Sequence, residues 1–225
     1  MNIEIYEYRD SSEFIENVAI QVENGNCVII KAKTDNENRL NKMGLGLSKK
    51  VLEEAERYYR INDKMNHIAT RGIVKKIIDV SLKRETEWSD WLIGSNGKPY
   101  IQSSKIRFNV SHTRGCALVS FSLQEVGVDV ELVDLKFQYK SILSDVFLAK
   151  EIRDVGNDVT KFYKYWVSKE SRLKQTGLGV TKLKEVEIID DRGETIILFD
   201  HTFREIKPIM FFTPYKGYVA CVSCL

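Results

Sequence analysis

The sequence lacks the features of three broad protein classes. Its four cysteines, Cys27, Cys116, Cys221 and Cys224, do not form the dense pattern of a secreted disulfide scaffold. No apolar run approaches the roughly 20 residues that a membrane span needs. The opening stretch MNIEIYEYRD has neither the basic nor the apolar segment of a signal peptide. These absences predict a cytoplasmic protein with reduced thiols and no membrane partner.

An excess of charge of one sign is also missing. The chain of 225 residues carries 34 Lys and Arg residues against 32 Asp and Glu residues, a net charge of +2. This balance argues against general nucleic-acid binding, although a small net charge can conceal a local anion site. Hydrophobic residues make up 43% and charged residues 29% of the chain, as expected for a globular protein with a core.

The order of predicted elements repeats once along the chain. β-Branched and aromatic runs predict strands, and apolar residues at helical spacing predict helices. The first part has strands at 3–8 and 26–32, helices at 47–60 and 67–82, and strands at 105–112 and 115–122. The second part has a strand at 126–132, helices at 139–155 and 159–177, and four late strands. We therefore predict an α+β protein of two similar halves, 1–124 and 125–225, that form a pseudo-dimer in one chain.

The stretch GVDVE, 127–131, places two acids two residues apart on a predicted strand. Val128 and Val130 can face the core, while Asp129 and Glu131 share the other face with Cα atoms roughly 6.5 Å apart. Acids this close repel each other unless a positive charge intervenes. An exposed strand face is one reading. The other is a cation site, and because Mg²⁺ often binds carboxylates together with substrate phosphates, it predicts a phosphate-bearing ligand.

A helical stripe in 159–177 could add a third acid. Phe162, Trp166, Glu170 and Lys174 recur every four residues, so they share one face of the helix. Phe162 and Trp166 can anchor that face to the core. Glu170 and Lys174 then either form a surface pair or lie buried, where they would need a partner. The following TGLG has two glycines that would let the backbone approach a ligand.

The stretch FNVSH, 108–112, is a second candidate site. Ser111 and His112 end a predicted strand just before Thr113 and Arg114. A His beside Ser, Thr and Arg suits an anion better than a metal, because no second metal ligand is near in sequence. A nucleophile–base pair is disfavoured, since the Ser and the His are adjacent and no acid is close. A hydrogen-bonding structural histidine is the alternative.

Together these motifs resemble the phosphopantetheinyl transferases of the surfactin-synthetase-activating type. The matching stretches are GKP at 97–99, FNVSHT at 108–113, GVDVE at 127–131, WVSKESRLKQTGLG at 166–179 and YKGYVACV at 215–222. They occur in the family's order and at its spacing. The combination of GVDVE with W-x-x-K-E-x-x-x-K-x-x-G-x-G is the most specific part, and the length of the chain agrees with a family type that has two similar halves.

The resemblance implies a reaction and its cofactor. Coenzyme A would be the substrate and Mg²⁺, or alternatively Mn²⁺, the cofactor, with the active site at the interface between the halves. The 4′-phosphopantetheine arm would move to a serine of an apo acyl or peptidyl carrier protein, releasing 3′,5′-ADP. Asp129, Glu131 and Glu170 would hold the metal, Lys174 would contact a phosphate, and Glu170 would be the general base.

The resemblance also implies binding residues for coenzyme A. Lys98, Ser111 and His112 would bind it, with His112 on a phosphate. Arg71 and Lys75, one helical turn apart, would meet its 3′-phosphate side, where Lys49 and Lys50 could join them; solvated helix charge is the alternative for this pair. The stretch TRGIVKK departs from common members in its lysines and its glycine, as does Leu178, which is often basic elsewhere. These departures concern the 3′-phosphate pocket and not the metal centre.

The sequence also leads to expectations about the partner protein, the oligomeric state and two competing functions. The carrier protein is expected to dock on 135–160, and a chain with two halves is expected to act as a monomer. One competing function is a coenzyme A- or nucleotide-binding scaffold for a carrier protein without transferase activity. The other is a Mg²⁺-dependent phosphohydrolase, although the sequence offers it no obvious nucleophile or second metal cluster.

Overall fold

The chain divides into two compact units, and each contains helices and a β-sheet. The structure is a computed structural model that describes residues 1–35, 40, 42–94 and 97–224. The units comprise Met1–Val126 and Gly127–Leu225, and each combines helices with a sheet that is largely antiparallel. The predicted α+β class is confirmed. The sequence prediction put the division after residue 124, and the pseudo-dimer and its interfacial active site stay predictions.

A four-stranded sheet in the order β1-β2-β6-β5 organises the first unit. Its strands are β1 (Ile3–Glu7), β2 (Cys27–Lys33), β5 (Arg107–Thr113) and β6 (Cys116–Ser122), and β3 (Trp91–Ile93) with β4 (Pro99–Ile101) forms a separate hairpin. The strands β1 and β2 are parallel, and the other neighbours are antiparallel. The described helices of this unit are α1 (Ser12–Glu23), α2 (Lys49–Ala55) and α3 (Ile61–Leu82).

Helix α1 was not predicted from the sequence, although its signals are present. The Ser11 hydroxyl accepts a hydrogen bond from the Phe14 backbone N–H at 3.3 Å and begins the helix. Buried residues then follow at helical spacing: Ile15, Val18, Ala19 and Val22. Because α1 connects β1 to β2, those two strands can run parallel.

The long helix α3 forms much of the core of the first unit. It begins six residues before the predicted start at residue 67 and buries Ile73, Ile77 and Ile78 against the sheet. Gly72 is needed where α3 crosses the chain, since a Cβ there would clash with the carbonyl group of Met43. This helix carries Arg71 and Lys75, two of the predicted binding residues.

A five-stranded sheet in the order β7-β11-β10-β9-β8 organises the second unit. The strands are β7 (Val126–Leu132), β8 (Val186–Asp191), β9 (Thr195–Asp200), β10 (Glu205–Phe212) and β11 (Tyr218–Cys224). The helices are α4 (Leu143–Val146), α5 (Ala149–Val155) and α6 (Val159–Thr176). The predicted helical stretch 139–155 is divided, because Phe147 and Leu148 adopt extended backbone conformations between α4 and α5.

Helix α6 is the centre of the second unit and is buried on nearly all sides. Asp158 begins it by accepting hydrogen bonds from the N–H groups of Thr160 and Lys161 at 2.8 and 3.0 Å. Gly177 ends it in the left-handed conformation, with φ of 73°. The predicted span 159–177 therefore agrees with the structure.

Two expectations about the whole chain can be compared with the structure. Among the described residues, no helix combines the length and the apolar character that a membrane span requires. All four cysteines are buried and none forms a disulfide. Cys221 and Cys224, the CxxC pair, lie on β11 and belong to no metal cluster within the described part of the chain.

Candidate active site

The strand β7 brings the GVDVE stretch into the second unit. Val128 and Val130 are buried, as predicted. Asp129 is buried as well, with only 4% of its surface exposed, so the exposed-face alternative is wrong for this acid. Glu131 is half-buried. An ionised carboxylate with so little exposure needs a compensating charge.

Gly127 is required by the close approach of β7 to α6. A Cβ at this position would clash with the Ser171 carbonyl oxygen and the Gln175 backbone nitrogen, and would lie 2.9 Å from the Gln175 Cα. Only glycine allows two backbones to pass so closely. The approach places Asp129, two residues further along β7, beside the last turns of α6.

Lys174 and Glu170 of α6 meet Asp129 at this approach. The Lys174 Nζ donates a hydrogen bond to Asp129 Oδ1 at 2.6 Å. Glu170, one turn earlier, is buried. Trp166 stacks on Phe162 with ring centroids 6.1 Å apart, so the predicted stripe faces inward and brings the acid and the lysine together.

The electrostatics of this cluster leave Glu170 easily protonated. Burial, and after it the negative charge of Asp129, raise the pKa of its carboxyl group to about 7, although Lys174 acts in the opposite direction. A carboxylate with a pKa near neutrality can accept and release a proton at physiological pH. This property suits a general base.

The donor set at this cluster fits a small divalent cation. No group of three or more His, Cys, Asp or Glu side chains at metal-binding distance occurs in the described ranges. Asp129 and Glu170 are nevertheless close enough that one carboxylate perturbs the pKa of the other. Because Mg²⁺ commonly takes one or two carboxylates and completes its shell with water and substrate phosphates, two acids are sufficient.

Lys169, the lysine beside Glu170 in the motif, has a separate structural function. It is fully buried and donates to Glu151 Oε2 at 2.6 Å. Glu151 also accepts from the backbone N–H groups of Leu148 and Ile188, each at 2.7 Å. Removing one partner of such a buried pair leaves an uncompensated charge, which destabilises a fold by about 3–5 kcal/mol. The pair therefore fixes the rotation of α6 and, with it, the direction of Glu170.

An apolar pocket of about 180 Å³ lies next to Glu131. Its lining consists of Glu131 and five apolar or aromatic residues: Phe137, Ile142, Phe162, Tyr163 and Trp166. Leu135, just before Phe137, is 74% exposed. Leu135 and two of the lining residues, Phe137 and Ile142, belong to 135–160, the stretch predicted to receive the carrier protein.

The predicted coenzyme A residues Lys98, Ser111 and His112 belong to the first unit. Lys98 donates to Glu125 Oε2 at 2.6 Å and to the Val126 carbonyl oxygen at 3.0 Å. Burial lowers the pKa of its ammonium group, although Glu125 acts in the opposite direction. Ser111 and His112 are neighbours on β5, with the serine buried and the histidine exposed.

Arg71 and Lys75 lie one turn apart on α3 in different surroundings. The Arg71 guanidinium lies 5.0 Å from the centroid of the Trp91 ring, and burial lowers its pKa. The Lys75 ammonium is buried in an ion pair with Asp79. An anion at Lys75 would therefore compete with an existing carboxylate, whereas Arg71 lies beside the Trp91 ring.

Lys49 and Lys50, the residues expected to join Arg71, lie at the start of α2. Lys49 is largely exposed and pairs with Glu53 at 3.4 Å. The Lys50 Nζ lies 4.8 Å from the centroid of the Trp88 ring. Neither contact assigns them to a ligand, and their binding role stays a prediction.

Comparison with known proteins identifies the family. A family model described as the 4′-phosphopantetheinyl transferase superfamily matches residues 125–222. The 4′-phosphopantetheinyl transferase HetI of Nostoc sp. is 30% identical over 162 residues, which cover 68% of this chain and 68% of HetI. The chain belongs to the 4′-phosphopantetheinyl transferase family. The prediction of an enzyme of this class is thereby confirmed.

Two further relatives of this phosphopantetheinyl transferase carry the same description. The enzyme gsp of Aneurinibacillus migulanus is 22% identical over 189 residues, covering 82% of this chain and 78% of its own. Sfp of Bacillus subtilis is 27% identical over 143 residues, covering 60% and 62% respectively. The similarity to Sfp is distant, so the surfactin-synthetase-activating subtype stays a prediction.

The family match divides the predicted site residues of this phosphopantetheinyl transferase into two groups. Residues 125–222 include Asp129, Glu131, Glu170 and Lys174. The predicted coenzyme A residues of the first unit lie before the matched segment. Sequence reasoning missed Lys169 and Glu151, because their pairing joins two different helices and leaves no local pattern.

Proposed function

We propose that this phosphopantetheinyl transferase, of the surfactin-synthetase-activating type, moves 4′-phosphopantetheine from coenzyme A to a serine of an apo acyl or peptidyl carrier protein. The serine oxygen forms a bond to the β-phosphorus of coenzyme A. The bond from that phosphorus to the bridging oxygen breaks, and 3′,5′-ADP leaves with this oxygen. The observation that carries the proposal is the group formed by the buried Asp129 and Glu170 and the half-buried Lys174 in a chain of this family.

Asp129 and Glu170, with Glu131 beside them on β7, are the proposed ligands of Mg²⁺, with Mn²⁺ as an alternative. When bound, the cation would offset the negative charge that develops on the transferring phosphoryl group. Lys174, which neutralises Asp129 in the absence of a cation, is proposed to contact a phosphate of coenzyme A. It would stabilise the departing 3′,5′-ADP.

Glu170 is the proposed general base. The serine hydroxyl must lose its proton as its oxygen bonds to phosphorus, and a carboxylate with a pKa near 7 can accept that proton. Burial supports this role, because it raises the basicity of the carboxylate.

Binding of coenzyme A is assigned to residues of the first unit. Lys98, Ser111 and His112 are the proposed contacts, and Arg71 is proposed to meet the 3′-phosphate. The Lys75 ammonium already pairs with Asp79, so Lys75 can join Arg71 only if it contacts the ligand and Asp79 together. Cationic side chains with restricted motion suit phosphate recognition, because little conformational freedom is lost on binding.

The carrier protein is proposed to dock on 135–160. The exposed Leu135 and the pocket beside Glu131 offer apolar contacts, and the same stretch carries the exposed Lys136, Lys140 and Lys150. A partner with an apolar patch and acidic rim would be complementary to this surface. The pocket's place beside a proposed metal ligand supports the delivery of the serine to the acids.

Intact-mass spectrometry of an apo carrier protein, incubated with this enzyme, coenzyme A and Mg²⁺, tests the proposal. We expect a gain of one phosphopantetheine on the carrier's serine. Asp129→Ala and Glu170→Ala should each lower the rate by at least about 1,000-fold while circular dichroism shows a folded chain. Glu194→Ala, which removes an exposed acid of the same unit, is the control and should retain activity.

Three other outcomes would contradict the proposal. Release of 3′,5′-ADP without carrier modification would favour the phosphohydrolase. Binding of coenzyme A with no gain of mass on several apo carriers would favour the scaffold without transferase activity. Near-normal turnover of Asp129→Ala at low Mg²⁺ concentration would overturn the metal assignment.

A further inference from the structure

Arg172 of α6 lies at the centre of a buried hydrogen-bond network to which the proposed function assigns no part. Its side chain is only 4% exposed. Nε donates to Asp200 Oδ2 at 2.7 Å, Nη1 donates to Gln175 Oε1 at 2.7 Å, and Nη2 pairs with Glu205. The Ser223 hydroxyl donates to the same Gln175 Oε1 at 2.6 Å. The network therefore joins α6 to β9, β10 and β11.

The geometry of the guanidinium gives this network a direction. A buried ion pair often contributes no more to stability than well-packed apolar side chains of similar volume. A guanidinium does fix geometry, because its donors lie in one rigid plane. Here those donors are aimed at the end of β9, the start of β10 and the last turn of α6. The last turn must keep its place for all three contacts to be made together.

This last turn also carries Lys174. Gln175, the next residue, has its backbone against Gly127 of β7 and its side chain in the network. The Lys174 ammonium reaches Asp129 Oδ1 at 2.6 Å on the same strand, through a long and flexible side chain that is 29% exposed. Helix ends are weakly held by themselves, since their last carbonyl groups have no partner within the helix. The direction of Lys174 therefore depends on what holds this turn.

We propose that Arg172 and Gln175 are positioning residues for Lys174. The network holds the last turn of α6, so that the Lys174 ammonium stays aligned with Asp129 and with the phosphate that it is proposed to contact. This inference rests on the proposed function, which assigns Lys174 to the departing 3′,5′-ADP. Arg172 and Gln175 act through Lys174 and contribute no group to the reaction.

Steady-state kinetics of Gln175→Met test this role. Methionine keeps the unbranched side chain but removes the acceptor that Arg172 and Ser223 share, and it leaves the pair of Arg172 with Asp200 in place. We expect kcat to fall about tenfold or more, because small displacements of a reacting group are costly. KM for the carrier protein, which is proposed to dock on 135–160, should change by less than about twofold.

A double-mutant cycle separates positioning from a general structural role. In a Lys174→Ala background, Gln175→Met should lower kcat by less than about a further twofold, because the group that it positions is gone. Losses that multiply, or an unchanged kcat in the single variant Gln175→Met, would overturn the inference and leave the proposed function standing. Failure of the wild-type chain to modify any apo carrier protein would overturn the proposed function and this inference with it.

A second variant, Ser223→Ala, covers the case in which Gln175→Met does not fold. It removes one of the two donors to Gln175 and should lower kcat about threefold. Ser168→Ala is the matched control, since it deletes a buried hydroxyl of α6 that donates to the Lys164 carbonyl oxygen at 2.7 Å. The control should retain the wild-type kcat. Equal kcat values for the two serine variants would overturn the role of the network.

Discussion

Glu170 ionises at a free-energy cost to the folded chain. Its pKa is raised from 4.5 to about 7, so between these values the folded state holds a proton that the unfolded state has released. Stability therefore falls as pH rises through this window, and the full penalty applies above pH 7. We expect Glu170→Gln to raise the free energy of unfolding by up to roughly 3 kcal/mol at pH 8, and by less than about 1 kcal/mol at pH 5.

Urea unfolding in the presence of EDTA measures this difference without a metal contribution. Glu194→Gln, at an exposed position, serves as the control and should show no pH-dependent gain. A gain of Glu170→Gln that is the same at both pH values would show that burial and Asp129 do not perturb this carboxyl group.

Lys98 is expected to act through binding. Its ammonium is positioned by Glu125 and the Val126 carbonyl oxygen, not by the acids proposed for chemistry. Lys98→Ala should raise KM for coenzyme A about tenfold and change kcat by less than about twofold. Steady-state kinetics with saturating carrier protein measure both. Lys105→Ala, at an exposed position nearby, should leave both unchanged, and a loss confined to kcat in Lys98→Ala would refute a binding role.

Residues in local patterns were predictable from the sequence, and residues joined over distance were not. The alternation in GVDVE and the four-residue stripe of α6 made Asp129, Glu170 and Lys174 candidates, and the hydrogen bond between Lys174 and Asp129 spans 45 positions. The engagement of Lys75 by Asp79 was not predicted, although the i,i+4 spacing was visible. Burial decides whether such a pair is structural, and burial depends on tertiary packing.

At the level of elements, the approach of β7 to α6 depends on one glycine. Gly127→Ala would force the strand away from the Ser171 carbonyl oxygen, which would also move Asp129. We expect a loss of at least about 2 kcal/mol in stability together with a large loss of activity. Gly179→Ala is the matched control, since a Cβ at Gly179 meets nothing within 4 Å, and its stability should be close to wild type.

Thermal and urea unfolding, followed by circular dichroism, compare the two alanine variants. Equal stability of Gly127→Ala and wild type would mean that the strand and the helix are not in close contact. Wild-type activity in a destabilised Gly127→Ala variant would show that the position of Asp129 does not depend on the contact between β7 and α6.

Strands and helices were predicted correctly where the apolar residues recur with a single regular spacing. Strand β7 and helix α6 agree with their sequence signals, because each has an unbroken apolar pattern. Helix α1 was missed despite its cap and apolar face. The break at Phe147 was also missed, since nothing in 139–155 marks the extended backbone that divides α4 from α5. The buried pairing of Lys169 with Glu151 fixes that region, and it is a tertiary interaction.

At the scale of the whole molecule, the net charge of +2 says little about the surface in 135–160 that is proposed to bind the carrier protein. Leu135 is exposed in the stretch proposed for the carrier protein, which also carries the exposed Lys136, Lys140 and Lys150. Leu135→Glu should raise KM for the carrier about tenfold, because it places an acid where an apolar and basic surface is proposed to meet an acidic partner. The affinity for coenzyme A, measured by calorimetry, should not change.

Ile206→Glu provides the control for this surface. Ile206 is a comparably exposed apolar residue on β10 of the same unit, outside 135–160, and its substitution should leave KM for the carrier unaltered. Equal effects of the two substitutions would show that docking does not depend on the proposed surface.

The contact at Gly127 has a consequence for sequence drift and for protein engineering. Where two backbones set a spacing, no side chain can be exchanged to adjust it, so the distance from Asp129 to Glu170 is insulated from most substitutions in the core. Carrier preference, by contrast, is proposed to reside in exposed side chains such as Leu135. Directed evolution of new carrier specificity can therefore start from exposed positions such as Leu135, whereas Phe137 and Ile142 line the pocket beside Glu131 and are better left unchanged.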